Sequence, residues 1–323
     1  MKRPETKHRS LLPLVIALFA LSFAAGCGGE FTELETPETC TQELQLCEVE
    51  VFLSVQEFEF LRQNGAHILD VRNQEAFSLG HIPGSYWADW QSFADTENRN
   101  GIIWEDEAIL EEAARSFGIN NEDVVIVVGA GDGRGGDARA GRLFWTLEYI
   151  GHERVYLVDG GFAAWEEARY DGLQAGFPEP EAGNFEVNLR PDRRATIEEV
   201  EEAIEDGTIR LVDTRTVEEW MGLEEARREN PRGGYIPEAI HYHWENVMED
   251  GKLRPRDEIL AELEALGIVP GTLTIPYCQS GVRSGYFYAV LKWLGFPEPK
   301  NYDGSWWEWS RADDLEIALP EEE

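Results

Sequence analysis

A chain of 323 residues with 42% hydrophobic and 11% aromatic content can bury two cores of ordinary domain size, which excludes an intrinsically disordered class. Its formal charge of −35 excludes the basic footprint of a nucleic-acid binder. The same charge repels a small anionic substrate unless basic groups gather at the site, and a solvated, self-repelling surface accounts for most of it.

The first segment in chain order predicts an export signal. Lys2, Arg3, Lys7 and Arg9 precede an apolar run from Leu11 to Ala25, which is too short and too abruptly ended for a membrane span. Small residues Ala24, Ala25 and Gly26 then stand before Cys27. A Cys after small residues resembles the bacterial lipobox, which implies cleavage after residue 26, acylation of Cys27 and a lipid anchor in the periplasm or cell envelope. Ala24 occupies the place where Leu is more usual, so ordinary signal cleavage nearby is the alternative. Residues 27–48 read as a polar tether. Its Cys40 and Cys47 form a candidate disulfide in an oxidising compartment, and with no His beside them they make a poor metal site. Cys278 is left without a partner, which singles it out.

A weak internal repeat follows. The strand-like His67–Arg72, ending Asp70-Val71-Arg72, returns as Arg210–Arg215, ending Asp213-Thr214-Arg215. Gly80-His-Ile-Pro-Gly-Ser85 returns as Gly234-Tyr-Ile-Pro-Glu-Ala239, and the strand Val124–Val128 as Leu273–Tyr277. Asp159-Gly-Gly-Phe-Ala-Ala-Trp165 returns as Asp303-Gly-Ser-Trp-Trp-Glu-Trp309. Helical periodicity at Ala108–Phe117 and Asp257–Leu266 alternates with these strands, which predicts an α/β fold with mostly parallel sheets. Gly and Pro punctuate residues 171–194, which read as a linker.

The copies differ between the second matched strand and its helix. The second has six residues, Cys278-Gln-Ser-Gly-Val-Arg283; the first has eleven, Gly129 to Arg139, and no Cys. Within the longer loop, Gly131-Asp-Gly-Arg-Gly-Gly136 fits GxGxxG, yet the acid expected at the end of the next strand, Asp159, is already explained by the repeat. No cofactor is expected. His241 and His243 alternate as on a strand face, and without a third ligand no metal is expected either.

In combination and order, the DVR/DTR, GHIPGS, YCQSGVRS and DGSWWEW motifs resemble the two-domain form of the rhodanese family, from Val51 to Arg311. The resemblance implies two tandem rhodanese-like domains, each a small, mostly parallel sheet flanked by helices, at residues 49–170 and 195–319. It implies that the first domain is catalytically silent and walls the active-site cleft, and that Cys278 is the nucleophile. Gln279, Ser280, Gly281, Val282, Arg283 and Ser284 would shape the substrate cradle. A tight strand-to-helix turn aims successive N–H groups inward, Gly281 permits the turn, and Arg283 adds a planar cationic fork. Arg215 would border the loop, with a structural pair to Asp213 as the competing reading. Arg227, Arg228 and Arg232 read as solvated cations, and Trp306 and Trp307 as core or pocket wall.

The implied activity is sulfurtransfer through a Cys278 persulfide, from thiosulfate or a related donor such as 3-mercaptopyruvate to cyanide or a thiol. The implied partners are a small anionic donor and a nucleophilic acceptor, with no nucleic acid and with membrane contact only through the anchor. Mercaptopyruvate enzymes place an Arg four residues beyond the DxR arginine and commonly end the loop in Thr; here those positions hold Glu219 and Arg283. Four residues separate Cys278 from Arg283, one fewer than in the phosphatases that share this fold, so a cradle for one sulfur is expected. A persulfide carrier or binding module is the alternative.

Overall fold

The computed structural model describes residues 51–170, 172–207, 209–223 and 230–320. The expected leader, Cys27, Cys40, Cys47, Arg227 and Arg228 lie outside these residues. Among the described residues no helix is long and apolar enough to cross a membrane.

The first half runs β1 (Phe52–Leu53), α1 (Val55–Gln63), β2 (His67–Asp70), α2 (Gln74–Leu79), β3 (Ser85–Trp87), β4 (Ala94–Asp95), β5 (Ile102–Ile103), α3 (Glu107–Ser116), β6 (Val125–Val128), α4 (Gly135–Tyr149), β7 (Val155–Val158) and α5 (Gly161–Ala168). Its sheet is parallel throughout, in the order β1-β7-β6-β2-β3. β6 is buried at all four positions, as a central parallel strand covered on both faces must be. The second half runs α6 (Ile197–Asp206), β8 (Arg210–Asp213), α7 (Val217–Trp220), β9 (Ile240–His241), β10 (Met248–Glu249), β11 (Lys252–Leu253), α8 (Arg256–Ala265), β12 (Thr274–Tyr277), α9 (Val282–Trp293) and α10 (Ser305–Trp309). Its sheet, β12-β8-β9, is also parallel. Helix starts are set locally: Ser54 with Glu57, Thr196 with Glu199 and Thr216 with Glu219 each close a capping box.

The second sheet is narrower for a reason legible in Pro276. Residues 300–302 run beside β12, where Lys300 N–H donates to Thr274 O and Tyr302 N–H to Pro276 O. Pro276 has no N–H to return, so the ladder is broken and no strand forms at the position that β7 fills in the first half. The segment between the halves is stitched to the first domain rather than loose. Gly183, Phe185, Asn188 and Arg190 donate their N–H groups to Arg115, Ile119, Ile150 and Tyr149 carbonyls, and Phe185 is buried.

One apolar core spans both halves through the packing of α4 on α9. Leu143, Phe144 and Leu147 of α4 meet Tyr286, Phe287, Val290 and Leu291 of α9, all buried. The backbones touch where both helices carry glycine. A Cβ on Gly141 would stand 2.2 Å from Tyr286 Cα, and one on Gly285 2.9 Å from Arg142 Cα. The halves also exchange hairpins. Ile103 N–H, from the β4–β5 hairpin, donates to Asp303 Oδ2 at 2.8 Å, and Leu253 N–H, from β10–β11, donates to Asp159 Oδ1 at 2.8 Å. Each hairpin thus closes on the Asp-Gly motif of the other half.

Because neither helix backbone can retreat from a core packed on both sides, Gly141→Ala is expected to lower stability by about 3 kcal/mol. Thermal unfolding followed by tryptophan fluorescence measures this; an unchanged midpoint would remove the close approach as a constraint.

Candidate functional site

β12 delivers Cys278 to the bottom of a turn that ends in α9, and the thiol is 1% exposed. Gly281 occupies the left-handed region at φ 73°, where a Cβ would strike Asp303 Cα at 2.6 Å, so only glycine makes this turn. The turn is held from outside by α10 and the residues before it. Trp306 N–H and Trp307 N–H donate to the carbonyls of Cys278 and Gln279. Ser305 Oγ accepts from the N–H groups of Cys278 (3.1 Å) and Gly281 (3.0 Å), and Asn301 Nδ2 donates to Gly281 O.

With those groups engaged outward, the N–H groups of Ser280 and Ser284 and the Ser284 hydroxyl, 3.6 Å from Sγ, face the sulfur. Burial alone would push the Cys278 thiol up. The Arg283 guanidinium, followed by the Ser284 and Ser280 N–H groups and the Ser284 hydroxyl, outweighs it and holds the thiol below its ordinary value. The arrangement stabilises a buried thiolate.

Arg283 does not stand alone. Its two terminal nitrogens bind Glu219 end-on, at 2.6 and 2.9 Å, and Glu219 is itself buried. The Thr216–Glu219 capping box aims this carboxylate, with Thr216 N–H donating to Oε2 at 3.1 Å and Glu219 N–H to Thr216 Oγ1 at 3.3 Å. The T-x-x-E spacing directly after the DTR arginine was the signal available for Glu219, which sequence reasoning treated only as a missing Arg.

Other residues expected to bind substrate are engaged elsewhere. Arg215 is 1% exposed, forked onto Asp213, donating to Gly234 O and lying under the Trp306 ring, 4.6 Å from its centroid. Arg72 makes the same pair with Asp70 and Gly80 O in the half without a Cys, which marks the arrangement as a strand-end anchor. The Gln279 side chain is engaged in a reciprocal amide pair with Asn230, at 2.8 and 2.9 Å. Val282 begins α9 and packs against the shared core. Arg232 caps four carbonyls at residues 309–315 instead of standing in solvent. Trp306 is core, while Trp307 is partly exposed and stacks on Arg311. His241 Nε2 pairs with Arg215 O, and among the described residues no cluster could hold a metal ion.

The first half contributes Arg142 of α4, fully buried between the copies. Its Nη2 donates to Gly101 O at 2.7 Å and its Nη1 to Ser280 O at 3.4 Å. Burial pushes this guanidinium down, and Asp303 and then Cys278 draw it back up. The first half's own loop is filled by an internal anion. Asp137 accepts the N–H groups of Gly131 (2.8 Å) and Gly133 (2.7 Å), and a Cβ built on Gly129, the counterpart of Cys278, would lie 2.4 Å from its Oδ1. Burial pushes the Asp137 carboxyl up to about 6, against the pull of those two N–H groups.

These charges predict opposite shifts for two variants. Arg283→Ala should move the pH midpoint of Cys278 alkylation upward, because burial then acts with less opposition. Glu219→Gln should move it downward, because the carboxylate that offsets the Arg283 charge is neutralised. Iodoacetamide labelling of the Cys278 peptide across pH, read by mass spectrometry, checks both signs.

Residues 54–168 and 196–312 each match the rhodanese-like domain. The chain is 31% identical over 253 residues to the thiosulfate sulfurtransferase of Pseudomonas aeruginosa, covering 78% of this chain and 90% of that one. It is 35% identical over 259 residues to the sulfur carrier protein TtuD of Thermus thermophilus, covering 76% and 88%. Among solved structures, the 3-mercaptopyruvate sulfurtransferase SseA of Escherichia coli superposes with a TM-score of 0.69 at 25% identity, over 80% of this chain and 99% of that one. With two matched domains around a buried Cys at a strand-to-helix turn, the chain belongs to the rhodanese family.

Proposed function

We propose that this protein is a sulfurtransferase that carries a sulfane sulfur on Cys278, with thiosulfate as the preferred donor. The supporting observation is a buried thiol held below its ordinary value by Arg283 and by the N–H groups of Ser284 and Ser280. The Cys278 thiolate attacks the outer sulfur of thiosulfate; the S–S bond of the donor breaks and sulfite leaves with the bonding pair. The resulting Cys278 persulfide keeps its negative charge on the outer sulfur, within reach of the same donors. A nucleophile such as cyanide or a thiol then takes the outer sulfur, and the thiolate returns. In this reading Gln279, Arg215 and Asp213 hold the loop and strand in place, and the first domain is silent because Asp137 fills the position of the nucleophile. With Glu219 where mercaptopyruvate enzymes place an Arg, and paired to Arg283, the site lacks that anchor for a donor carboxylate, which supports thiosulfate over 3-mercaptopyruvate.

The 35% identity to a sulfur carrier supports a second reading, in which the persulfide passes to a protein acceptor with slow turnover on small molecules. In either case, the basic start and apolar run before Cys27 support export, with Cys27 as a lipid-anchored mature N-terminus in the cell envelope and Cys40 bonded to Cys47.

Cyanide-dependent thiocyanate formation, with thiosulfate and 3-mercaptopyruvate compared side by side, tests the enzyme reading. Cys278→Ser is expected to abolish it and Arg134→Ala to leave it within about twofold, since surface changes away from a site are usually small. Transfer persisting in the Cys278→Ser protein would refute the nucleophile. A stable persulfide adduct with thiosulfate but negligible thiocyanate would favour the carrier. Membrane retention lost in Cys27→Ser, together with loss of a metabolically incorporated fatty acid, is expected from the anchor.

A further inference from the structure

The two copies hold their loops from outside with matching hydrogen bonds, and one hydroxyl breaks the likeness. In the first half, Phe162 N–H and Ala163 N–H donate to Gly129 O and Ala130 O, as Trp306 N–H and Trp307 N–H do to Cys278 O and Gln279 O in the second. The residue just before these donors lies in the left-handed region in both halves: Gly161 at φ 50° and Ser305 at φ 53°. Glycine adopts that conformation freely, whereas a side chain is strained there. A side chain at Gly161 would also meet Gly129 O at 2.7 Å and Gly131 N at 2.8 Å. The second half has a loop five residues shorter and keeps a fully buried serine at the strained position.

That serine's hydroxyl has its hydrogen-bonding capacity filled. It donates to Tyr302 O at 2.7 Å and accepts from the N–H groups of Cys278 and Gly281. Those two donors lie at either end of the stretch bearing the sulfur. Drawing both outward fixes the plane of the turn, which leaves the Ser280 and Ser284 N–H groups aimed at Sγ. Strain persists where surrounding structure fixes it and where it serves a site.

We propose that Ser305 is a positioning residue for sulfur chemistry at Cys278: its hydroxyl, held in a left-handed backbone, clamps the N–H groups of Cys278 and Gly281 so that the remaining N–H groups of the turn stabilise the sulfur anion. This rests on the reading of Cys278 as the nucleophile. The sulfur itself is not touched by Ser305, so its effect passes through the shape of the turn.

The test uses the full-length chain and two variants, Ser305→Gly and Ser305→Ala. Glycine fills the matching position in the first half at nearly the same φ, so Ser305→Gly relieves the strain and removes only the hydroxyl. The pH midpoint for iodoacetamide alkylation of the Cys278 peptide is expected to rise by about half a unit or more in both variants. The kcat/KM for thiosulfate is expected to fall about tenfold in both, the scale of one lost buried hydrogen bond. Ser305→Ala should also unfold at a lower temperature than Ser305→Gly, because it keeps the strained backbone. A Ser305→Gly protein with the wild-type alkylation midpoint and turnover would overturn the proposal, leaving the residue a filler of space. A midpoint moved to lower pH would also overturn it, since the hydroxyl would then be competing with the sulfur for donors. Alkylation needs no turnover, so wild-type protein without sulfurtransfer would refute the proposed function while the comparison of midpoints still judged Ser305.

Discussion

Ionising a thiol that is 1% exposed is unfavourable unless every lost water is replaced by a fixed donor or a cation. This constraint organises the second half of the chain. The turn after β12 cannot supply inward donors unless its carbonyls and its other N–H groups are held outward, and α10 with Ser305 and Asn301 does that holding. The cation cannot roam either. Glu219 fixes the Arg283 fork, and the capping box at the start of α7 fixes Glu219. A charge beside the sulfur is thus positioned by three residues, only one of which is on the loop.

The first half shows the same scaffold under a different solution. Its longer loop brings N–H groups inward at Gly131 and Gly133, and Asp137 from the first turn of α4 receives them. A carboxylate there stands in for the sulfur anion, in the volume that a side chain at Gly129 would need. This loop carries no cysteine, and an internal side chain satisfies its inward N–H groups. The strand-end anchors Arg72–Asp70 and Arg215–Asp213 are kept in both halves because they support β2 and β8 whether or not chemistry follows.

Much of this was legible in the sequence, because the motifs repeat at matched spacing and strand and helix periods alternate between them. The α/β class, the tandem halves and the position of the Cys loop between a strand and a helix could be read directly. The roles of individual side chains on that loop could not. Gln279 reads as a pocket residue until Asn230, 49 positions away, is found bonded to it. Arg283 reads as a free fork until Glu219 is found across it, although the T-x-x-E spacing already marked Glu219 as the third residue of a helix. Arg215 carried both readings, and only the matching pair in the half without a Cys distinguishes them. The narrowing of the second sheet was visible in Pro276 as a residue without a donor, but its consequence depends on which neighbour the missing N–H would have faced.

The exchanged hairpins bear on how this polypeptide can be divided. Asp303 is completed by a backbone N–H 200 residues away, and Asp159 by one 94 residues away, each in the opposite half. Neither half therefore contains all the groups that shape its own Asp-Gly turn, and backbone donors cannot be replaced by changing a side chain. A gene fragment encoding only the second half would lose Ile103 and Arg142 together, leaving Asp303 Oδ2 without its backbone donor beside the sulfur loop, with Arg194 on Oδ1 as its remaining cation. The first half is thus a component of the other half's interior, through its hairpin and through Arg142.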